Sequence, residues 1–247
     1  MSDLRPRGAY GFDAPYVPIV LAIVGLLFLA VTLLSTLTGG ALVGWVITLI
    51  IGLAFLALAA WYVYVTRRGK FAVWARVLRS LRLHGDERLL DLGCGRGAVL
   101  LQAAKLLPRG RAVGIDLWKT SDQSGNALSA TERNAELEGV RDRVDLGTGD
   151  MTNLPYEDAS FDVIVSSIAI HNIKNAGDRA KAVEEAARVL RPGGTLTVAD
   201  IRATSEYAST LRGLGWAEVT RRSLGPGMWF GLFSGTSLVR GTKPAAR

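Results

Sequence analysis

The chain is poor in the residues that build metal centres and disulfide frameworks. Among its 247 residues there is one cysteine, Cys94, and there are two histidines, His84 and His171, far apart in sequence. A lone cysteine excludes a disulfide scaffold and a cysteine-rich zinc site. Two distant histidines do not make a multi-histidine centre, so no metal is expected. Charge is missing too: no Asp, Glu, Lys or Arg occurs from Ala14 to Thr66, a run of 53 residues. That run accounts for the positive mean hydropathy of +0.24. It excludes a disordered chain, a collagen-like chain and a uniformly soluble enzyme.

The charge that is present falls unevenly. The net charge is +7 and the pI about 9.8, values that invite a nucleic-acid reading. Arg67, Arg68, Lys70, Arg76, Arg79 and Arg82 form a basic stretch without an acid, whereas from Leu83 onward 21 basic residues face 20 acidic ones. The positive excess is thus a stripe beside the apolar run and not a folded basic face, so nucleic acid is not an expected partner.

The apolar run is too long for one membrane span of about 20 residues. It divides at Thr38-Gly39-Gly40, a glycine-rich turn. Two transmembrane helices are therefore expected, at about 16–37 and 42–64, within a hairpin at 16–66. Tyr10, Phe12 and Tyr16 bracket its start and Trp61, Tyr62 and Tyr64 its end, as interfacial anchors do. A signal peptide has too short an apolar core to account for two spans. A hairpin buried in a globular core is disfavoured because so long an uncharged run leaves no polar face. Arg5 and Arg7 precede the hairpin, six basic residues follow it and the turn is uncharged. Both ends, including an N-terminal segment at 1–15, are expected on the cytoplasmic side of the cell membrane. A basic amphipathic juxtamembrane helix is expected at 67–83, with Phe71, Trp74, Leu78 and Leu81 on one face. Two compatible readings stand: the helix lies on an anionic leaflet, or it packs that face into a core.

From residue 84 to 247 short apolar runs alternate with helical patterns, the grammar of βαβ units. Strands are expected near Arg88–Leu92, Ala112–Asp116, Val144–Thr148, Phe161–Ser166, Thr195–Ile201, Ala217–Ser223 and Thr236–Arg240. Helices are expected near Ala98–Leu107, Asn126–Glu138, Asp178–Leu190 and Ser205–Leu214. The fold class is α/β: a seven-stranded doubly wound, Rossmann-like sheet preceded by the hairpin. Ligands in such sheets bind at the carboxyl ends of the strands. The sharpest local signal is Asp91-Leu92-Gly93-Cys94-Gly95-Arg96-Gly97, a strand running into a glycine-rich turn. Alone it also satisfies the dinucleotide pattern G-x-G-x-x-A.

Four motifs in order make the chain resemble the class I S-adenosylmethionine-dependent methyltransferases over about Leu83–Thr242. They are Asp91-x-Gly93-x-Gly95-x-Gly97, Gly114-Ile115-Asp116, Gly149-Asp150-Met151 with Leu154-Pro155-Tyr156, and Leu190-Arg191-Pro192-Gly193-Gly194. The cofactor half also resembles the ubiquinone/menaquinone methyltransferases. The resemblance implies S-adenosyl-L-methionine as cofactor. Asp91 would meet its ammonium, the Gly93–Gly97 backbone its methionine and ribose, Asp116 the ribose hydroxyls, Asp150 the adenine amino group and Met151 the ring. Cys94, Leu117, Trp118, Gly149 and Ser166 fall in the same implied cofactor site. Cys94 reads as a small turn residue rather than a nucleophile. Trp118 reads equally as a stacking or a packing residue. Trp118–Asn126 is longer than the usual family connection.

In this fold acceptor groups cluster after the fourth strand, here Ser166-Ser167-Ile168-Ala169-Ile170-His171-Asn172. His171 and Asn172 are the candidate catalytic residues; the alternative is a structural histidine. His84 is given no role. The apolar segment Gly225–Phe233 either lines an acceptor pocket, touches the bilayer or begins a buried strand. The expected activity is methyl transfer to a small lipophilic or membrane-associated acceptor at an anionic cytoplasmic leaflet. A nicotinamide-dependent oxidoreductase and a non-catalytic membrane scaffold are the alternatives. Neither the acceptor atom nor the oligomeric state follows from the residues.

Overall fold

The computed structural model describes residues 4–120, 123–230 and 235–245; Ser121, Asp122 and residues 231–233, which belong to segments singled out above, lie outside them. Helix α1 (Tyr16–Leu37) and helix α2 (Leu42–Tyr64) form an antiparallel hairpin. Gly39 ends α1 in the left-handed region at φ +72°. The Gly40 N–H donates back to the Ser35 carbonyl at 2.8 Å, satisfying a carbonyl that the helix end leaves free. The helices cross where Gly25 meets Gly52. A Cβ on either would lie 3.0 Å from the other's carbonyl oxygen and 2.9 Å from a leucine side chain. Close backbone approach through small residues is how helices associate without a hydrophobic drive. Thr32 and Thr48 add a hydroxyl–hydroxyl bond of 2.7 Å. Apolar side chains such as Ile23, Leu27, Leu34, Ile47 and Ile50 point outward, more than half exposed. Both helices are long and apolar enough to cross a membrane.

Helix α2 does not stop at Tyr64. A π-helical turn (Val65–Gly69) carries it without a break into α3 (Lys70–Arg79), one rod from Leu42 to Arg79. Phe71, Val73, Trp74, Val77 and Leu78 of α3 are buried in one cluster with Val99, Leu100, Ala103 and Leu107 and with Leu89, Val163 and Leu238 of the sheet. Arg76 and Arg79 stay exposed. Of the two readings of this helix, its apolar face is occupied by protein core.

The remaining elements are β1 (Arg88–Leu92), α4 (Leu100–Ala104), β2 (Arg111–Asp116), α5 (Leu128–Leu137), β3 (Val144–Thr148), β4 (Phe161–Ser167), α6 (Ala176–Val189), β5 (Leu190–Asp200), α7 (Thr204–Gly213), β6 (Val219–Ser223) and β7 (Ser237–Thr242). The sheet order is β3-β2-β1-β4-β5-β7-β6. The first five strands run parallel and β7 is antiparallel to both neighbours. Alternate residues serve the two faces, as a two-residue period requires. Val163 and Val165 join the cluster under α3 and α4, while Ile164 faces α6 and α7 with Leu196, Val198, Tyr207 and Leu211. Among these elements the largest boundary shifts fall in β5 and α4, the others being of one or two residues. Strand β5 begins at Leu190, because Leu190 already pairs with Phe161 across a bulge. Helix α4 ends at Ala104, where Leu106 and Leu107 donate to the carbonyls three residues back. The sheet reverses order between β1 and β4, so the carboxyl ends of these strands open a crevice.

The segment before α1 is strapped across this domain. Glu138 Oε1 accepts from the Arg7 and Gly8 N–H groups at 2.6 and 2.9 Å and from the Tyr10 hydroxyl at 2.6 Å. Lys105 Nζ lies 2.6 Å from Oε2. Burial raises the Glu138 carboxyl, but these donors outweigh it and hold the group below its ordinary value. Leu78→Ala is expected to destabilise the chain by about 2–5 kcal/mol, and Arg76→Ala by no more than about 0.5 kcal/mol. Thermal and denaturant unfolding of the detergent-solubilised chain check both.

Candidate active site

At the crevice the chain turns from β1 into the glycine-rich loop. Gly93 (φ +68°) and Gly95 (φ +50°) take left-handed backbone that a side chain resists. A Cβ on Gly93 would sit 2.3 Å from the Ala169 methyl group, and one on Gly95 2.7 Å from Gln123 Oε1. Gly97 instead lets the loop close on Leu101 and Thr131. A cavity of about 380 Å³ adjoins the loop. Asp91, Gly93, Cys94 and Gly95 line its inner wall; Ser167, Ile168, Ala169, His171 and Asn172 line the side after β4. The outer wall is Asp13, Tyr16, Val17, Tyr62, Lys70 and Phe230, at the level where the two apolar helices begin and end. Lys70, buried, pairs with Asp13 at 2.6 Å. The Tyr62 and Phe230 rings meet edge to face at 5.8 Å.

Asp91 is 1% exposed, and its Oδ1 has no partner among the described residues. Burial pushes its carboxyl well above the ordinary range; a backbone hydrogen bond from Leu100 opposes this and the Asp116 charge adds to it. A buried acid that lines a cavity with one oxygen unpartnered fits a cationic group such as the methionine ammonium. Burial, then the charges of Asp91 and Asp116, also push the Cys94 thiol up, which suits an inert turn residue.

The neighbouring strand ends carry the other implied cofactor residues, outside the cavity lining. Asp116 Oδ2 accepts from the Gly95 N–H at 2.8 Å, and Oδ1 from the Trp118 N–H at 2.6 Å and Asn126 Nδ2 at 3.2 Å. The carboxylate thereby ties β2 to the glycine loop. Trp118 lies across to β3, its indole N–H donating to Thr148 Oγ1 at 2.8 Å. Gly149 follows β3, its N–H bound to the Asp116 carbonyl. Met151 Cε lies 3.3 Å from where a Gly93 Cβ would stand. Asp150 is exposed and accepts from the Thr152 backbone and hydroxyl. Leu117 is exposed as well. Ser166 is fully buried, its hydroxyl donating to the Leu92 carbonyl at 2.8 Å.

His171 has a partner that sequence reading missed. Its Nδ1 lies 2.6 Å from Asp200 Oδ1, and its backbone N–H donates to Asp200 Oδ2 at 3.0 Å. Asp200, at the carboxyl end of β5, also accepts from Tyr207 Oη and the Ile201 N–H. The carboxylate lies within ion-pair distance of one ring nitrogen but out of line for a hydrogen bond to it. It holds His171 through the backbone N–H and flanks the ring, the placing of an acid beside a candidate general base. An acid ending the strand beside His171 was the available signal. Ile168, a β-branched residue at φ +54°, shapes the same loop; strained backbone of this kind concentrates at functional sites.

A family model described as a methyltransferase domain matches residues 83–221. The sterol 4-C-methyltransferase strm-1 of Caenorhabditis elegans is 33% identical over 138 residues, covering 53% of this chain and 38% of the relative. The ubiquinone/menaquinone biosynthesis C-methyltransferase UbiE of Dinoroseobacter shibae is 36% identical over 131 residues, covering 53% and 49%. In both cases the chain spans less than half the relative's length. Among solved structures, an S-adenosylmethionine-dependent methyltransferase from Methanosarcina mazei aligns with TM-score 0.57 at 17% identity, over 68% of this chain and 98% of that one. Geranyl diphosphate methyltransferase, solved with its substrate and sinefungin, aligns with TM-score 0.58 at 17% identity, over 72% and 80%. These two likenesses are of fold.

An acid with a raised folded-state pKa stabilises the fold only while protonated, and that contribution is lost as pH climbs through the folded value. Asp91→Asn is therefore expected to raise the unfolding temperature of the ligand-free chain at neutral pH, with the gain shrinking as the solution is acidified. The same variant is expected to bind S-adenosylhomocysteine about tenfold or more weakly by calorimetry, the loss of a charge-assisted contact.

Proposed function

The chain belongs to the methyltransferase-domain family and is an S-adenosylmethionine-dependent methyltransferase, and on that premise we propose that it acts at the cytoplasmic face of a membrane on a small lipophilic acceptor. Membership sets aside the nicotinamide and scaffold readings of the glycine-rich turn. The observation that carries the proposal is the composition of one cavity. Its inner wall is the cofactor loop, and its outer wall is Tyr16 and Val17 at the start of α1 and Tyr62 at the end of α2. An acceptor dissolved in the bilayer reaches such a cavity without crossing water. Relatives named for sterol and for quinone substrates support an apolar acceptor. The hairpin supports the anchor, and the basic residues flanking both spans support a cytoplasmic domain.

The bound cofactor supplies a sulfonium methyl group that is transferred by in-line displacement, leaving S-adenosylhomocysteine. The chain's own residues bind and align the partners, which accounts for most of such a rate enhancement. Asp91 holds the ammonium end and the glycine backbone lets the ligand approach closely. Asp116 fixes the loop and offers the rim of its carboxylate to vicinal hydroxyls, while Trp118 and Met151 flank the adenine side. His171 Nε2 takes the acceptor's proton as the new bond to the methyl carbon forms. Asp200 positions that residue. Asn172 lines the same cavity and orients the acceptor.

Membranes supplied with radiolabelled methyl donor are expected to pass label into an organic extract. Label confined to the aqueous phase or to protein overturns the lipophilic acceptor. The chain is expected to stay with the membrane pellet after an alkaline carbonate wash; release into the supernatant overturns the anchor. His171→Ala is expected to lower kcat about a hundredfold with S-adenosylhomocysteine affinity unchanged. Asp200→Asn is expected to lower kcat while leaving S-adenosylhomocysteine affinity and the acceptor KM unchanged, a split that a purely structural role would not give.

A further inference from the structure

A second groove lies on the other side of the strap, between residues 4–11 and the α2–α3 rod. It is open, about 1240 Å³, and lined by Val63, Thr66, Arg67, Arg68 and Arg96, with Ala72 and Ala75 beyond them. No acid lines it. Among the described residues no carboxylate lies within ion-pair distance of Arg67, Arg68 or Arg96. Arg67 is held with its guanidinium 4.6 Å from the Phe12 ring centroid, and Arg96 NH1 donates to the Ser124 carbonyl at 3.0 Å.

Two polar atoms in this wall lack partners. Thr66, 1% exposed, has no hydrogen bond to its hydroxyl, and neither does the buried Nε of Arg96. A buried hydroxyl left unpaired is destabilising, so such a site calls for an occupant. Thr66, Arg67 and Arg68 sit on the π-helical turn, a distortion frequent at functional sites. The groove's height fixes the class of ligand. Arg67 and Arg68 follow the end of the second apolar helix directly, and Val63 is still in its last turn.

We propose that this groove binds the phosphate of an anionic phospholipid headgroup, with Arg68 and Arg67 on the phosphate oxygens, the Thr66 hydroxyl donating to one of them, Arg96 closing the inner end, and the acyl chains running along Val63. The inference rests on the membrane reading given above and adds a defined binding site to it. Its consequence lies in Arg96. The Arg96 N–H donates to Gln123 Oε1, and its carbonyl accepts from Asn134, which also holds Ala9 of the strap. A bound phosphate is thus one residue from Gly95 and Gly97 and stiffens the cofactor loop.

The test uses the full chain in a zwitterionic detergent, titrated with dihexanoyl phosphatidylglycerol, dihexanoyl phosphatidylcholine, glycerol 3-phosphate or inorganic phosphate. Native mass spectrometry counts the bound lipid and thermal unfolding reports its effect. One phosphatidylglycerol is expected to bind saturably and to tighten S-adenosylhomocysteine binding, with phosphatidylcholine at least tenfold weaker. Arg68→Gln is expected to weaken phosphatidylglycerol about tenfold or more, one charge-assisted contact, and Thr66→Val by a smaller factor while raising the unfolding temperature of the lipid-free chain, because it removes the unpaired hydroxyl. Arg68→Lys, which keeps the charge, is expected to recover part of the loss. Equal binding of the two lipids, or wild-type affinity in both Arg68→Gln and Thr66→Val, overturns the site. Competition by inorganic phosphate at the same concentration overturns the lipid assignment in favour of a soluble anion. Because the lipids are short-chained and the chain is in detergent, a chain that fails the carbonate wash yet binds phosphatidylglycerol separates the two claims.

Discussion

A single helix carries two kinds of surface. From Leu42 to Tyr64 its surface is apolar on all sides and protein covers little of it; from Phe71 to Leu78 one stripe is buried in the domain core and the other carries arginine. Hydrophobic burial fixes the lower half, because Trp74 and Leu78 are almost wholly out of water. Since the helix is continuous, the position of the upper half follows. The cavity, the strap and the basic groove all take their height from that rod.

The site is built around charge kept out of water. Asp91 is desolvated and lacks a countercharge of its own, an arrangement that costs stability in the free chain and gains meaning when a cation arrives. His171 is treated differently: its carboxylate partner is permanent and itself held by Tyr207 and the Ile201 N–H. One acid is left waiting for a ligand, and the other is committed to a neighbour. Each sits at a strand end, where the parallel sheet directs side chains into the crevice.

Much of this was legible in the residue order. The glycine-rich turn after β1, the acid ending β2 and the charge-free hairpin are local signals, and each sits where its spacing indicated. The seven strands were legible for the same reason, since apolar alternation in each is complete within a few residues. Contacts between distant segments were not. Asp200 stands 29 residues from His171, and the strap reaches Glu138 across 131 residues, separations that no periodicity encodes. The face of α3 was ambiguous on physical grounds, because an apolar stripe reads the same whether lipid or protein core receives it. Ser166 was placed by its neighbourhood in the motif, yet its hydroxyl is spent on the Leu92 carbonyl.

The strap has a consequence for biosynthesis. Its partners Asn134 and Glu138 lie more than a hundred residues downstream, so during synthesis the strap is made long before the surface that receives it and can dock only afterwards. A strap left undocked would deprive Glu138 of its Arg7, Gly8 and Tyr10 donors and open the cavity's outer wall at Asp13. Closure of the cavity is therefore a late step of assembly, and it waits on a segment made well before the surface that receives it.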